Sequence, residues 1–306
     1  MAMRRASQLA CIAALSAFMR GDAYAQSMEP RSYSNAPIGL NFLAVGYSYW
    51  WGDVLLDPSI PIKDLNAKID AGTIGYDRVV DFGGQSGSLA IVVPYGRLRA
   101  TGDVVGEERS ATRVGLADIL MRATVNLYGA PALSLREFRA YRQDTIVGVS
   151  LYVTAPTGQY DASKLINIGT HRWSFKPALG VSKALGRWTL EASGGVTFFT
   201  TNNDFFGGNK RRQEPLYSIQ GHAIYNFNET LWAAFDATYY TGGSTTLNGA
   251  HDNDRQNNSR YGATLAKDID LHNSVKVYFD SGATARSGAN FHTVGAAWQC
   301  RWGAGL

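Results

Sequence analysis

Apolar and polar residues alternate in stretches of about ten residues along most of this chain. Between Leu231 and Thr241 the odd positions are mostly apolar and include Phe235, whereas the even positions include Asp236 and Thr238. Because successive side chains of a β-strand point to opposite faces, each stretch predicts a strand with one apolar and one polar face. No apolar run after the N-terminal region is long enough for a membrane helix. The pattern is typical of strands that turn one face to lipid and the other to a polar lumen.

The N-terminal region has the composition of a secretory signal peptide. Arg4 and Arg5 precede a short apolar core at residues 9–18, and small residues at 23 and 25 suit a cleavage site. The core is shorter than the roughly 20 residues that a membrane helix needs. We therefore predict a signal peptide (residues 1–25), a periplasmic lead-in that could also enter the lumen as a plug (residues 26–39) and a transmembrane β-barrel (residues 40–306).

Charge and cysteine content restrict the function classes. Loss of Arg4, Arg5, Arg20 and Asp22 with the signal lowers the formal net charge from +4 to +2, which argues against a nucleic-acid partner. Only Cys300 remains in the mature chain, so no intrachain disulfide is possible. The mean hydropathy of −0.16 excludes a bundle of membrane helices. It suits a barrel, because only alternate strand residues face lipid.

Twelve stretches predict membrane-spanning strands of a single antiparallel all-β barrel of the outer-membrane type. Each has close to the 9–11 or so residues that a tilted strand needs to cross a bilayer. Tyr and Trp cluster near strand ends, as aromatic belts at both interfaces require. A soluble β-sandwich is the minor alternative. The predicted strands cover residues 40–51, 71–82, 88–98, 114–127, 144–155, 173–183, 188–201, 216–226, 231–241, 258–267, 274–284 and 290–302.

The connectors between these strands mostly alternate between long and short. Outer-membrane barrels have short periplasmic turns and longer external loops. With the N-terminus in the periplasm, residues 129–143 form an unexpectedly long periplasmic connector, whose residues 132–138 could form a short helix. Residues 285–289 form an unexpectedly short external one. The long external connectors are residues 52–70, 99–113, 156–172, 202–215 and 242–257.

A set of polar and charged side chains falls on the face opposite the apolar one. A charge facing lipid at mid-depth would cost about 2–4 kcal/mol for Arg or Lys, so these side chains should face the lumen or lie near an interface. They either pair across the lumen and stabilise the wall or line a solute path. Their mixed signs predict no strong ion selectivity. The candidate lumen residues are Asp118, Arg122, Lys176, Glu191, Gln220, His222, Asp236, Arg260, Lys276 and Asp280.

We find no set of residues typical of catalysis. A lipid-facing hydrolase would need a serine within reach of a histidine and a third polar group that orients the ring. His222 and His292 are the histidines on predicted strands, and no Gly-x-Ser-x-Gly motif accompanies either. The acidic residues of segment 252–254 do not form an EF-hand loop, and a solvated loop explains them. No catalytic residue, metal site or cofactor is predicted.

Several short motifs occur in a fixed order along the chain. They are Tyr-Ser-Tyr-Trp-Trp-Gly-Asp at 47–53, Gly-Leu-Ala-Asp at 115–118, Ala-Pro-Thr-Gly-Gln-Tyr-Asp at 155–161, Asn-Ile-Gly-Thr-His-Arg-Trp-Ser-Phe-Lys-Pro at 167–177, Tyr-Tyr-Thr-Gly-Gly-Ser at 239–244 and Asn-Asn-Ser-Arg-Tyr-Gly at 257–262. Together they resemble the outer-membrane family named for the meta-pathway of phenol degradation, over most of the mature chain. The resemblance implies a β-barrel and uptake of hydrophobic or aromatic compounds. One departure concerns the C-terminus, where Leu306 replaces the aromatic residue that the assembly machinery commonly reads.

The sequence therefore predicts a channel or transporter for small molecules in the outer membrane of a Gram-negative bacterium. The expected partners are outer-membrane lipid, a small-molecule solute and the outer-membrane assembly machinery. The resemblance implies that the solute is hydrophobic or aromatic. Two alternatives remain open at this point. One is a lipid-facing outer-membrane hydrolase, and the other is a structural or adhesive barrel without transport.

Overall fold

The computed structural model describes residues 28–55, 62–104 and 106–306. The predicted signal peptide lies outside the described residues. The described chain is almost entirely β-structure with one short helix, α1 (Leu135–Phe138). The strands are β1 (Leu40–Leu55), β2 (Ile62–Asp81), β3 (Ser86–Val104), β4 (Glu107–Leu116), β5 (Ile119–Tyr128), β6 (Thr145–Ala155), β7 (Ser174–Leu185), β8 (Trp188–Phe199), β9 (Asn202–Phe205), β10 (Asn209–Gln213), β11 (Leu216–Asn226), β12 (Leu231–Gly242), β13 (Thr245–Leu247), β14 (Ala250–His251), β15 (Gln256–Asp268), β16 (Asn273–Thr284) and β17 (Gly288–Gly303).

One antiparallel sheet closes on itself to form the barrel. β1 pairs with β2 on one side and with β17 on the other, where Leu40 lies opposite Gly303 and Leu55 opposite Gly288. β4 and β5 share one position in the wall, because β3 pairs with β5 through its first half and with β4 through its second half. The described wall thus has twelve strand positions, and the prediction of a single twelve-stranded antiparallel barrel is confirmed.

The outer face of the wall is apolar. Large side chains such as Ile74, Leu179 and Phe235 are more than half exposed on it, at 56%, 56% and 58%. Exposing this much apolar surface to water would be unfavourable by about 25 cal/mol per Å², so the belt matches hydrocarbon. The inner face carries buried polar side chains, among them Thr124 and Ser150, which share a hydrogen bond of 2.9 Å across β5 and β6.

Two of the segments predicted as long connectors consist mostly of β-strand. We expected loops at residues 52–70 and 99–113, but β1 to β4 continue through most of both segments. The reason is visible on β2, where the apolar residue Ile74 faces outward within the lipid belt, whereas Leu65 and Ala67 are buried inside the barrel further along. The alternation continues beyond the bilayer, but its apolar side changes from the outer to the inner face. A prediction that always assigns the apolar face to lipid therefore ends each strand where this change occurs.

A second sheet covers the end of the barrel that carries the long connectors. We call this end extracellular and the opposite end periplasmic, following the general rule for outer-membrane barrels. The predicted connectors 202–215 and 242–257 contain β9, β10, β13 and β14, which form a four-stranded sheet in the order β14–β13–β10–β9. We call it the outer sheet. Its strands have two to five residues, too few for an alternating pattern to be recognised.

The long periplasmic connector contains the predicted helix, which is confirmed as α1. Its first turn has a capping box, in which the Glu137 carboxylate accepts from the Ser134 N–H at 2.9 Å and the Glu137 N–H donates to the Ser134 hydroxyl at 3.4 Å. Hydrogen bonds from Ser134 hold the pKa of Glu137 below its usual value. Among the described residues, no helix has both the length and the apolar character needed to span a membrane.

Candidate functional site: the barrel lumen

The described residues that precede β1 lie inside the barrel. We call residues 28–39 the inner segment. Near its end, the Ile38 N–H donates to the Leu133 carbonyl at 2.9 Å, and the Asn35 side-chain amide donates to the Pro131 carbonyl at 3.2 Å. These bonds join the inner segment to the long periplasmic connector. From there its earlier residues reach the lumen wall.

Tyr33 is the best-buried anchor of the inner segment, with only 3% of its surface exposed. Its ring lies against Gly148 on β6 and Gly180 on β7. A Cβ atom at Gly180 would stand 2.0 Å from Tyr33 Cε2, and one at Gly148 would stand 2.7 Å from Tyr33 Cδ1. Because no side chain fits at those distances, the two glycines form a slot for the ring.

Charged groups also hold the inner segment inside the lumen. The carboxylates of Glu29 and Asp77 contact the guanidinium of Arg122 at 2.9 and 3.0 Å, so Arg122 has an anionic partner on each side. The Arg31 N–H donates to Glu191 Oε2 at 2.7 Å. The Arg31 guanidinium lies 4.7 Å from the centre of the Trp232 ring, a cation–π distance. The inner segment thus crosses the lumen through specific polar contacts.

Two pairs of predicted lumen residues contact each other across neighbouring strands. His222 Nδ1 lies 2.6 Å from Asp236 Oδ1, and the Thr264 hydroxyl donates to Asp236 Oδ2 at 3.0 Å. Arg260 pairs with Asp280 in the same way. Because these groups are mostly buried, their mutual contacts replace the hydration that a water-filled lumen would provide.

Six of the predicted lumen residues line two cavities. Lys176, Glu191, Gln220 and His222 surround a small polar cavity of about 20 Å³ beside Tyr33, large enough for a single water molecule. Arg122 and Lys276 line a much larger cavity of about 730 Å³. The larger cavity lies between the inner segment and the walls formed by β1–β3, β5 and β15–β17.

Asp118, another predicted lumen residue, has a buried carboxylate that binds an external connector. Its Oδ1 accepts from the Gly158 N–H at 2.8 Å, and its Oδ2 accepts from the Thr170 N–H and hydroxyl at 2.9 and 2.5 Å. We call residues 156–173 the latch connector. The motifs Gly-Leu-Ala-Asp, Pro-Thr-Gly and Ile-Gly-Thr-His-Arg therefore meet at one point. Sequence reasoning did not find this contact, because it joins positions about 40 and 52 residues apart.

The latch connector carries two apolar side chains into the extracellular mouth of the barrel. Ile166 packs among inward-facing wall residues of β1, β2, β3 and β17. Leu165 packs against the same group and also against the outer sheet. Sequence reasoning missed these residues, although the inward apolar positions on β2 and β3 could have indicated them. We call the whole group the apolar septum: Leu165 and Ile166 with Val54, Leu65, Leu98 and Phe291 of the wall and Phe205 and Leu247 of the outer sheet.

One histidine has a serine partner that the sequence did not indicate. His292 Nδ1 on β17 lies 2.8 Å from the Ser281 hydroxyl on β16, and the Trp51 ring packs beside His292. The Ser281 hydroxyl also lies 3.2 Å from the Gly282 carbonyl oxygen, to which it donates. In the described part of the chain, no carboxylate lies within ion-pair distance of His292. Within the same residues, no three His, Cys, Asp or Glu side chains are grouped as a metal would require.

Comparison with solved structures supports the barrel fold. The COG4313 outer membrane channel from Pseudomonas putida F1 superposes with a TM-score of 0.78 at 20% identity, over 90% of this chain and 100% of that one. A NanC porin superposes at 0.47 with 8% identity over 84% and 98% of the two chains. The CymD monoaromatic hydrocarbon channel superposes at 0.42 with 6% identity over 88% and 89%. At 20% identity the likeness to the first structure concerns the fold alone, and the other two, with TM-scores below 0.5, are too distant to support a conclusion.

The sequence itself matches one family. No curated protein matches the chain. A family model described as "Putative MetA-pathway of phenol degradation" matches residues 57–294, which include the latch connector, Asp118 and most of the wall. The resemblance read from the motifs is thereby confirmed. With its closed twelve-position barrel and lipid-facing belt, the chain belongs to this family of outer-membrane β-barrel proteins.

Proposed function

We propose that the barrel lets small apolar or aromatic molecules cross the outer membrane. The observation that carries this proposal is the apolar septum. Leu165 and Ile166 fill the extracellular mouth with hydrocarbon side chains, and they contact both the wall and the outer sheet. A hydrophobic constriction opposes the passage of ions and hydrated solutes, because they would lose their water shell there. An apolar solute loses no such hydration.

The larger cavity gives a solute a place below the septum. Its volume of about 730 Å³ is within the range of roughly 300–1,000 Å³ of ordinary small-molecule pockets. Its charged lining includes Arg122, which has Glu29 and Asp77 as partners. Charges that are already paired attract ions weakly, so the lumen is suited to neutral solutes. The lumen residues predicted from the sequence are, in this proposal, the polar wall of that path.

The family description supports the proposed class of solute. Its description refers to phenol degradation, a process that consumes a small aromatic compound. A phenol-like molecule has an apolar ring and one polar group. It could therefore pass the septum by its ring and form hydrogen bonds in the polar cavity beneath.

A lipid-facing hydrolase is the second candidate, because Ser281 and His292 are in contact. The absence of an orienting group argues against it. Among the described residues, no carboxylate lies within ion-pair distance of His292 to hold its ring as a general base requires. Release of fatty acid from phospholipid by the purified barrel, lost in both Ser281→Ala and His292→Ala, would favour this candidate over the channel.

Planar-bilayer recording combined with flux into liposomes tests the proposal. We expect small, discrete conductance steps and faster entry of phenol than of a sugar of similar mass. The matched comparison is Leu165→Ser with Ile166→Ser, against Ala162→Ser in the same connector. The double variant should raise sugar flux several-fold, and the control should leave it unchanged. Sugar flux equal to phenol flux through the unmodified barrel would contradict the proposal.

A further inference from the structure

The outer face of the barrel carries basic side chains at the extracellular end of two adjacent strands. They are Lys68 on β2 and Arg97 and Arg99 on β3, and all three are exposed. In the β2–β3 register Lys68 lies directly opposite Arg99. We call these three residues the basic patch.

The basic patch lies immediately above the lipid belt. On β3 the outward residue two positions before Arg97 is Tyr95, which is 53% exposed. On β2 the outward residue Ile74 is 56% exposed, and the exposed Tyr47 of β1 lies opposite Gly72, the next outward position of β2. Aromatic residues mark the boundary between the hydrocarbon and the head groups. Arg97 is the next outward side chain on β3, and on β2 Lys68 follows Asp70, so the basic patch is at the level of the head groups of the outer leaflet.

The charges of the basic patch are only partly compensated by the protein. Like charges directly opposite each other on neighbouring strands destabilise a sheet, as Lys68 and Arg99 do here. Asp70 lies opposite Arg97 and is 3.8 Å from the Arg99 guanidinium. Its carboxylate also accepts a hydrogen bond of 2.8 Å from Tyr47. A second exposed carboxylate, Asp53 on β1, lies opposite Asn66, two positions from Lys68. Three basic groups with two carboxylates leave one positive charge for an external anion.

Along its register row, the basic patch occupies two adjacent strands. The row that contains Lys68 and Arg99 continues through Trp51 on β1 and His292 on β17. It then reaches Ser281 on β16, and on the other side it reaches Thr112 on β4. Over these six described strands, Lys and Arg occur in the row only on β2 and β3, so the two basic groups lie side by side.

We propose that the basic patch binds the phosphate groups of the phosphorylated glycolipid that forms the outer leaflet. A guanidinium presents a planar fork of donors that matches two phosphate oxygens, and the Lys68 ammonium adds a point charge to the same oxygens. A phosphate between Lys68 and Arg99 would relieve their mutual repulsion. The acyl chains of the glycolipid would lie along the apolar belt below Tyr95. This binding is independent of what passes through the lumen.

The test measures lipid binding to the purified barrel in detergent by native mass spectrometry. The lipids are bisphosphorylated lipid A, lipid A without phosphates and phosphatidylglycerol, and inorganic phosphate is added as a competitor. The variant is Lys68→Gln with Arg99→Gln. The matched control is Arg187→Gln with Lys267→Gln, which removes two exposed basic groups near the periplasmic end. Heat-modifiable mobility on a gel verifies that each barrel is folded.

We expect the unmodified barrel to prefer bisphosphorylated lipid A over the other two lipids, and inorganic phosphate not to displace it. Affinity should fall about tenfold or more in the Lys68/Arg99 variant, because each basic group near an anionic surface contributes substantially, and should stay unchanged in the control. Three results would overturn the proposal: equal binding of lipid A without phosphates or of phosphatidylglycerol, equal losses in the two double variants, or displacement by inorganic phosphate.

Discussion

Asp118 and Thr170 are joined by two hydrogen bonds although 52 residues separate them in the chain. The same carboxylate accepts from the Gly158 N–H, so it binds the latch connector near both of its ends. Between those ends lie Leu165 and Ile166, which fill the extracellular mouth. The Asp118 carboxylate thus helps to position the apolar septum, together with Arg113, whose Nε donates to the Ile166 carbonyl at 2.7 Å.

Asp118→Ala should release the latch connector. The substitution leaves three buried donors without their acceptor, at a cost of about 1–3 kcal/mol each. We expect a several-fold larger mean conductance in planar bilayers, with unchanged heat-modifiable mobility because the wall pairing is intact. Asp118→Asn keeps one carbonyl acceptor and should be intermediate. A conductance of Asp118→Ala equal to that of the unmodified barrel would show that the carboxylate does not position the septum.

Removal of the septum side chains should change which solutes pass. With Leu165→Ser and Ile166→Ser, water can enter the mouth, because the serine hydroxyl groups bind water and the hydrocarbon side chains that they replace do not. The ratio of phenol flux to sugar flux into liposomes should fall towards one. Ala162→Ser, which adds a hydroxyl to the same connector, should leave the ratio as it is. An unchanged ratio in the double variant would assign selectivity to another part of the lumen.

Tyr33 and Gly180 should behave as one unit. Gly180→Ala places a methyl group where the Tyr33 ring lies, and Tyr33→Ala removes the ring, at a cost of about 3 kcal/mol in docking of the inner segment. Each variant should therefore detach the segment and raise conductance. The double variant should do little more than either alone. Additive effects in this double-mutant cycle would mean that the slot is not what holds the segment.

The latch connector should lose local structure only in strong acid. Hydrogen bonds from Ser163, with Lys164 beside them, lower the pKa of Asp161 from 3.8 to about 2. A lowered pKa means that the charged form is stabilised in the folded state. The stabilisation of the folded connector by the charged Asp161 carboxylate is complete above a pH of about 4 and is lost as the pH falls towards 2. Hydrogen exchange at the Ser163 amide, corrected for its intrinsic rate, should accelerate in that window. It should not do so in Asp161→Asn, and acceleration already near pH 6 would contradict the assignment.

The wall could be predicted from the sequence because lipid imposes one rule along every strand. Phe235 faces outward and Asp236 faces inward, and this alternation is enough to predict the strand that begins at Leu231. The rule fails where the strands leave the bilayer. Leu65 is apolar and faces inward, so the extension of β2 was interpreted as a loop.

The site was harder to predict, because its contacts join distant parts of the chain. The strand pattern predicts Arg122 as a lumen residue, but its partner Glu29 is on a segment with no periodic pattern. The same period-two pattern assigns Asp118 to the lumen. Its buried contact with Thr170 depends on the path of a connector, which local alternation does not encode.

Uptake into cells is the decisive measurement for passage of small apolar or aromatic molecules. Cells with and without this protein would be given labelled phenol-type compounds, hydrocarbons and a sugar at concentrations low enough for the outer membrane to limit entry. The protein should accelerate entry of the aromatic compounds several-fold and leave sugar entry nearly unchanged. Equal aromatic uptake in both kinds of cell, or acceleration of the sugar alone, would contradict it.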